Sequence, residues 1–305
     1  MMRKMFFLVL AMFLFSFATH VYATNNETVD SIMTIHGNIP TSTIFFAVAG
    51  EPDTGSITLE PNQTTLVSCW GTAFDLDGMD DLDNLTSVIY ADSSDRFAPE
   101  NASVRYENNT CDLSDFNFGG GWNCTFNVQY YAEPSEWTCA VNITNVDPEF
   151  YNDTVNTTST VEDLVALSVH NKTVDFGLRA VGINYTADTE VVVYNEGNVE
   201  LNLQLDAFNS SSVFEDDSDQ AFNCSIGHIP VHYLRFSLND NDDYLDAVPM
   251  EEVGATADQP LSLAQRVFGQ GTDLPTFAST YWAPAVPMNI AGTCTGRIMY
   301  IGVPA

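Results

Sequence analysis

Residues 64–83, TTLVSCWGTAFDLDGMDDLD, limit what this chain can fold into more than any other stretch. The first half alternates, with Val67, Cys69, Gly71 and Ala73 on one side and Leu66, Ser68, Trp70 and Thr72 on the other. A period of two carrying β-branched and aromatic residues predicts a strand with one buried face. The second half sets Asp75, Asp77, Asp80, Asp81 and Asp83 around Gly78, so the strand runs into a tight acidic loop. A strand that buries a cysteine needs a facing sheet, and in this setting an oxidising compartment. The expectation is an extracellular β-sandwich.

Extended over the whole chain, the reading is all-β: two tandem immunoglobulin-like β-sandwich domains behind a signal peptide. Arg3 and Lys4 start a basic segment, residues 5–18 form an apolar run, and Val21-Tyr22-Ala23 offers a small-x-small cleavage site. The run is short for a membrane span, and no second run of about 18 apolar residues follows, so the mature chain is expected to have no transmembrane helix. The expected order is signal peptide 1–23, leader strand segment 24–50, first sandwich 51–150, polar linker 151–160 and second sandwich 161–305. In the second sandwich, residues 190–194 and 199–207 read as a hairpin across the turn Asn195-Glu196-Gly197-Asn198. Residues 111–121, with Gly119, Gly120 and Gly121, read as a loop. The leader is too apolar to remain a free tail, so it pairs within its own domain or with another copy.

Charge excludes whole classes of partner. There are 41 acidic and 9 basic residues, a net charge of -32. Removal of Arg3 and Lys4 leaves 41 against 7, or -34, with Lys172 the one lysine. Phosphate binding needs clustered Lys and Arg, so nucleic acid is excluded, and an anionic membrane surface with it.

Six cysteines remain after export: Cys69, Cys111, Cys124, Cys139, Cys224 and Cys294. An even number in a secreted chain predicts disulfides, and none of the six lies in C-x-x-C. Connectivity cannot be deduced from sequence alone, but the spacing points to one arrangement. Cys69 and Cys139 sit in separate strand patterns, Cys111 and Cys124 flank one loop, and Cys224 and Cys294 are the two in the second half. Glycosylation signals are dense. Asn-x-Ser/Thr occurs at Asn26, Asn62, Asn84, Asn101, Asn108, Asn123, Asn142, Asn152, Asn156, Asn171, Asn184, Asn209 and Asn223, which is 13 of 25 asparagines. Chance predicts about 4 for this content of Ser and Thr, so the enrichment points to a glycosylated surface. Asn223, beside Cys224, is expected to be among the sites too buried for use.

The residues Cys69-Trp70-Gly71-Thr72, followed by Asp75-Leu76-Asp77-Gly78-Met79-Asp80-Asp81, resemble the C-x-G-T strand and D-x-D-G-x-x-D loop of immunoglobulin-like modules in secreted surface proteins, especially archaeal ones. The resemblance implies that the strand after the loop joins the opposite sheet, and Trp137, two before Cys139, sits where such modules often carry an aromatic residue. The strand after the loop, Ser87-Val88-Ile89-Tyr90, lacks the tryptophan of antibody-type domains, so antibody-type recognition is not implied. In the second half, VDFG followed by VVVYNEGNVELNLQL is similar to sandwich modules of bacterial and archaeal surface and fibre proteins.

The acidic loop is the candidate metal site. Calcium takes six to eight oxygens, and Asp75, Asp77, Asp80 and Asp81 around a glycine supply several. The bland alternative is a solvated acidic turn. The loop is no EF-hand, since Met79, Asp80 and Thr86 stand where that motif needs Asp/Asn, Gly and Glu. A weaker acidic cluster covers Asn239, Asp240, Asn241, Asp242, Asp243 and Asp246. His228 and His232 have zinc spacing on a helix, but Pro230 and the β-branched neighbours predict extended chain, which holds them too far apart for one ion. No G-x-S-x-G, H-E-x-x-H or P-loop is present. The expectation is therefore a non-enzymatic chain with no required cofactor, calcium being the one candidate.

The function class that fits is a secreted, glycosylated structural or adhesive protein of a cell surface, whose partners are other surface proteins, copies of itself or glycans. The rivals are an extracellular fibre subunit that assembles by donating its leader strand, and a carbohydrate-binding or carbohydrate-active protein.

Overall fold

The alternation in Thr64–Phe74 produces an 11-residue strand whose Val67, Cys69 and Ala73 are buried while Leu66, Trp70 and Phe74 face outward. This computed structural model describes residues 41–48, 56–75, 82–116, 119–145, 155–209, 220–250, 261–269 and 276–305. The described chain is all-β, with a single short 3₁₀ turn at Val231–Tyr233.

Among the described residues, nine strands build the first sandwich: β1 (Thr41–Val48), β2 (Ser56–Ile57), β3 (Thr64–Phe74), β4 (Leu82–Ala91), β5 (Arg105–Asn108), β6 (Asp112–Phe116), β7 (Gly119–Gln129), β8 (Glu136–Asn145) and β9 (Val155–Val161). One sheet runs β1-β3-β7-β6 and the other β2-β9-β8-β4-β5. The chain thus crosses to the opposite sheet between β3 and β4. Their inner faces share one core around Trp122, Trp137, Phe126, Ile89 and Val67. The Trp137 indole N–H donates to the Glu133 carbonyl at 2.8 Å, so the buried ring leaves no donor unpaired.

Ten further described strands follow: β10 (Leu167–Val169), β11 (Thr189–Asn195), β12 (Leu201–Asn209), β13 (Gln220–Ile226), β14 (His228–Pro230), β15 (Leu234–Ser237), β16 (Val248–Pro249), β17 (Leu261–Leu263), β18 (Thr276–Pro284) and β19 (Ala291–Pro304). They form the sheets β10-β11-β18-β15-β16 and β14-β13-β19-β12-β17. A second core packs between them, with Leu201, Leu203 and Leu205 of β12 facing Val191, Val193, Leu234, Phe236 and Trp282. Tyr300 reaches into it, its hydroxyl 2.7 Å from Thr280 Oγ1 and accepting from the Trp282 indole at 3.0 Å; burial pushes this phenol up to about 12.

Three sequence expectations change, and one left open between two alternatives is decided. The turn 195–198 makes no hairpin, because β11 pairs with β10 and β18 while β12 pairs with β17 and β19. It is an arch that carries the chain from one sheet to the other. Val155–Val161, which overlaps the segment expected as linker over residues 155–160, is β9, antiparallel to β8 and parallel to β2. The glycines 119–121 belong to β7, paired with Phe74, Ala73 and Thr72 of β3. Leader residues Thr41–Val48 form β1 and pair along their full length with β3 of the same chain; the remainder of the leader lies outside the described residues.

All described residues belong to one compact unit, Asn38–Ala305, and the arch is where the two sandwiches meet. Asn195 starts it: its side-chain amide donates to the Val199, Leu263 and Ala264 carbonyls, and its Oδ1 accepts from the Gly197 N–H. A Cβ on Gly197 would stand 1.9 Å from the Leu164 carbonyl oxygen, so no other residue fits there. Asn198 is fully buried; its amide donates to the Ala132 and Glu162 carbonyls, both at 3.0 Å, and its Oδ1 accepts from the Leu164 N–H. Nearby, the Arg266 guanidinium lies 4.8 Å from the Tyr131 ring centroid, and the Phe268 N–H donates to Ser103 Oγ.

Candidate functional site

The three disulfides are Cys69–Cys139, Cys111–Cys124 and Cys224–Cys294, the arrangement to which the spacing points. Cys69–Cys139 ties β3 to β8 and so staples the two sheets of the first sandwich. Cys224–Cys294 instead joins directly opposed residues of neighbouring strands within one sheet.

Of the candidate calcium ligands, Asp75 is described: it closes β3 and is fully buried. Asp77, Asp80 and Asp81 lie outside the described residues. The second acidic stretch is a tight turn organised by its own side chains. The Ser237 hydroxyl donates to Asp242 Oδ2, Asn239 Nδ2 donates to the same oxygen at 3.2 Å, and the Asn239 N–H donates to Ser237 Oγ at 3.0 Å. Among the described residues, no three of His, Cys, Asp and Glu are gathered as metal ligands would be. His228 lies in β14 and His232 in the 3₁₀ turn beyond Pro230.

The sequon asparagines are ordered by the pleat. Asn84, Asn142 and Asn156 sit on β4, β8 and β9, where Thr86 opposes Asn142 and Ala140 opposes Asn156, all on the outer face of that sheet. Asn123 lies on the outer face of the other sheet, opposite Trp70. Asn223 is exposed on β13, which corrects the expectation that it is buried. Asn171 and Asn184 are exposed in loops. Asn62 occupies the turn before β3 at φ 51°, its amide 3.5 Å from Glu196 Oε1. Asn101 Oδ1 accepts from the Ser103 N–H. Two sequons point the other way. The Asn108 amide donates to the Thr125 carbonyl at 2.9 Å while its Oδ1 accepts from the Thr110 N–H, and Asn209 is buried at the end of β12. Asn26 and Asn152 lie outside the described residues.

Two outer faces carry aromatic side chains. On the first sandwich Leu66, Trp70 and Phe74 project from β3, 46%, 37% and 46% exposed. On the second, His170, Tyr194 and Phe277 form a row with ring centroids 6.0 and 5.7 Å apart. Beside that row, Glu190 Oε1 accepts from Ser279 Oγ at 2.7 Å and from the Tyr281 hydroxyl at 3.4 Å. The sequence does not show the row, because its members come from three separate stretches; the outward parity of Tyr194 and Phe277 is its one signal there.

The scarce arginines serve the fold. Arg96, Arg179, Arg235 and Arg266 each lie over an aromatic ring, Phe97, Tyr185, Tyr244 and Tyr131 respectively. Arg105, largely buried, pairs with Glu107 at 2.7 Å, and its hydrogen bond holds the Glu107 carboxyl below the usual range. These cations are spread over both sandwiches and make no patch for an anionic ligand.

No family model and no curated protein sequence matches the chain. Among solved structures it is similar to the CsuC–CsuE chaperone–tip adhesion subunit pre-assembly complex from archaic chaperone-usher Csu pili of Acinetobacter baumannii. Identity is 11%, covering 81% of this chain and 96% of that chain, with a TM-score of 0.32. A likeness at this score does not extend to function.

Proposed function

We propose that the chain is a secreted, glycosylated structural or adhesive protein of a cell surface, without catalytic activity. The observation that carries this reading is the placement of the strand sequons. Asn84, Asn142 and Asn156 cover the outer face of one sheet, and Asn123 lies on the outer face of its partner. A glycan needs an outward position, and the signal occurs where a sandwich can bear one. Three disulfides support an oxidising compartment. Partners are other surface proteins or further copies of the chain. The pairing of β1 with its own β3 supports a self-contained first sandwich over donation of that strand to a neighbour. Labelling intact source cells with a membrane-impermeant reagent tests the location: labelling equal to that of known surface proteins is expected, and labelling only after lysis contradicts it.

The row His170–Tyr194–Phe277 favours a second reading, a carbohydrate-binding protein that stacks sugar rings on the outer face of the second sandwich. A glycan array with the purified chain discriminates: binding lost in Phe277→Ala supports it, and an empty array removes it.

A further inference from the structure

Trp70 and Asn123 are directly opposed across the antiparallel pair β3–β7, with Asp112 of β6 opposite Asn123 on its other side. Opposed side chains on one face have Cβ atoms roughly 4.5–5.5 Å apart. Asn123-Cys124-Thr125 is a sequon held in the middle of a strand: Cys124 turns inward to its disulfide with Cys111, so Asn123 and Thr125 are turned outward. The Asn123 amide makes no hydrogen bond to a described residue, unlike that of Asn108, which is spent on the Thr125 carbonyl. Among the other described strand sequons on outer faces, Asn84 opposes Thr144, Asn142 opposes Thr86, Asn156 opposes Ala140, and Asn223 opposes Thr295 and His228. Among the described sequons, an indole stands opposite the asparagine at Asn123 alone.

We propose that Asn123 carries an N-linked glycan whose first pyranose ring lies on the Trp70 indole. The inference rests on the reading of the chain as a secreted glycoprotein and names the site where protein and sugar pack together. In the modification, made by a separate transferase, Asn123 Nδ2 attacks the anomeric carbon of a lipid-phosphate-linked sugar. The N–C1 bond forms, the C1–O bond to phosphate breaks, the phosphate keeps the bonding pair, and the amide gives up one proton. A pyranose presents C–H groups on its flat face, and the electron-rich face of an indole attracts them. The linkage holds the sugar beside the ring, so stacking needs no separate binding step. The same contact covers part of the Trp70 surface that a bare sandwich would leave in water.

Trp70 is a convenient reporter, because Trp122, Trp137 and Trp282, the other three of the four tryptophans, are almost fully buried. The test is acrylamide quenching of tryptophan fluorescence in the full secreted chain, with glycan occupancy mapped by peptide mass spectrometry. Three samples are compared: wild type from a glycosylating host, Asn123→Gln from the same host, and wild type from a host lacking the transferase. With Asn123 occupied, quenching falls by roughly half relative to both comparison samples, since one ring face is covered. Glycan on Asn123 with unchanged quenching overturns the stacking and leaves the glycoprotein reading intact. An empty Asn123 beside occupied sequons elsewhere does the same. No glycan at any sequon removes both.

Discussion

The Asn198 side-chain amide donates to the carbonyl oxygen of Ala132, 66 residues earlier in the chain, at 3.0 Å. Its second proton goes to Glu162 and its oxygen takes the Leu164 N–H, so one buried side chain satisfies three backbone groups of the first sandwich and the passage between the two. Asn198→Ala is expected to destabilise the chain by roughly 1–3 kcal/mol for each group left unpaired in the interior. Asn198→Asp is expected to be no better, since it loses both donors. Thermal melting of the two variants checks this, and a wild-type melting temperature in either contradicts the clamp.

Asp206 provides a pH signature. It is buried on β12 with its Oδ1 accepting from the Ala207 N–H at 2.7 Å; burial raises its carboxyl above the ordinary value, and that hydrogen bond only partly opposes the rise. A carboxyl raised in the folded state lowers stability as pH climbs from the unfolded value through the folded one. Asp206→Asn is therefore expected to be more stable than wild type at neutral pH, with the gain fading below the usual carboxylate range. A gain independent of pH would point to packing instead.

Removing the Cys69–Cys139 bridge, with Ala at both positions, is expected to cost on the order of 4 kcal/mol, mostly by freeing the unfolded chain. The bridge closes a separation of 70 residues between facing sheets. Denaturant unfolding of the variant gives the loss. Peptide mapping without reductant should recover the three pairs and no bridge between the first four cysteines and the last two.

Much of this architecture is legible in the sequence. The alternation around Cys69, the placement of β8 with Trp137 inside, and the burial of one face of β12 follow from a period of two. The turn 195–198 is not legible as an arch, because a hairpin and an arch share the same signature: two extended segments and an Asn/Gly turn. Only the strands each segment pairs with tell them apart, and those lie far away in the chain. β9 reads as linker because VNTTSTV carries few large apolar residues, yet threonine is β-branched and suits a sheet whose outer face meets water. The glycines of β7 look like a loop, but bare backbone suits the close approach of β6, where a Cβ on Gly121 would meet Ser114 Oγ at 3.0 Å.

Calcium at the loop after β3 is a proposal with a simple check. Asp75 closes the strand, and the aspartates that follow in sequence crowd carboxylates together. A divalent ion that relieves their repulsion binds the native state and stabilises it by mass action. Millimolar calcium is expected to raise the melting temperature above that in chelator, and Asp77→Asn to reduce the difference. Identical melting in the two conditions removes calcium as a structural element.

The central claim, a sandwich whose outer faces bear glycans, is tested most directly by site-resolved occupancy of the secreted protein using peptide mass spectrometry. The account predicts glycan at Asn84, Asn123, Asn142, Asn156 and Asn223, which face outward, and none at Asn108 and Asn209, whose side chains are engaged or buried. Bare outward sites, or occupancy at Asn108 and Asn209 equal to theirs, would contradict it.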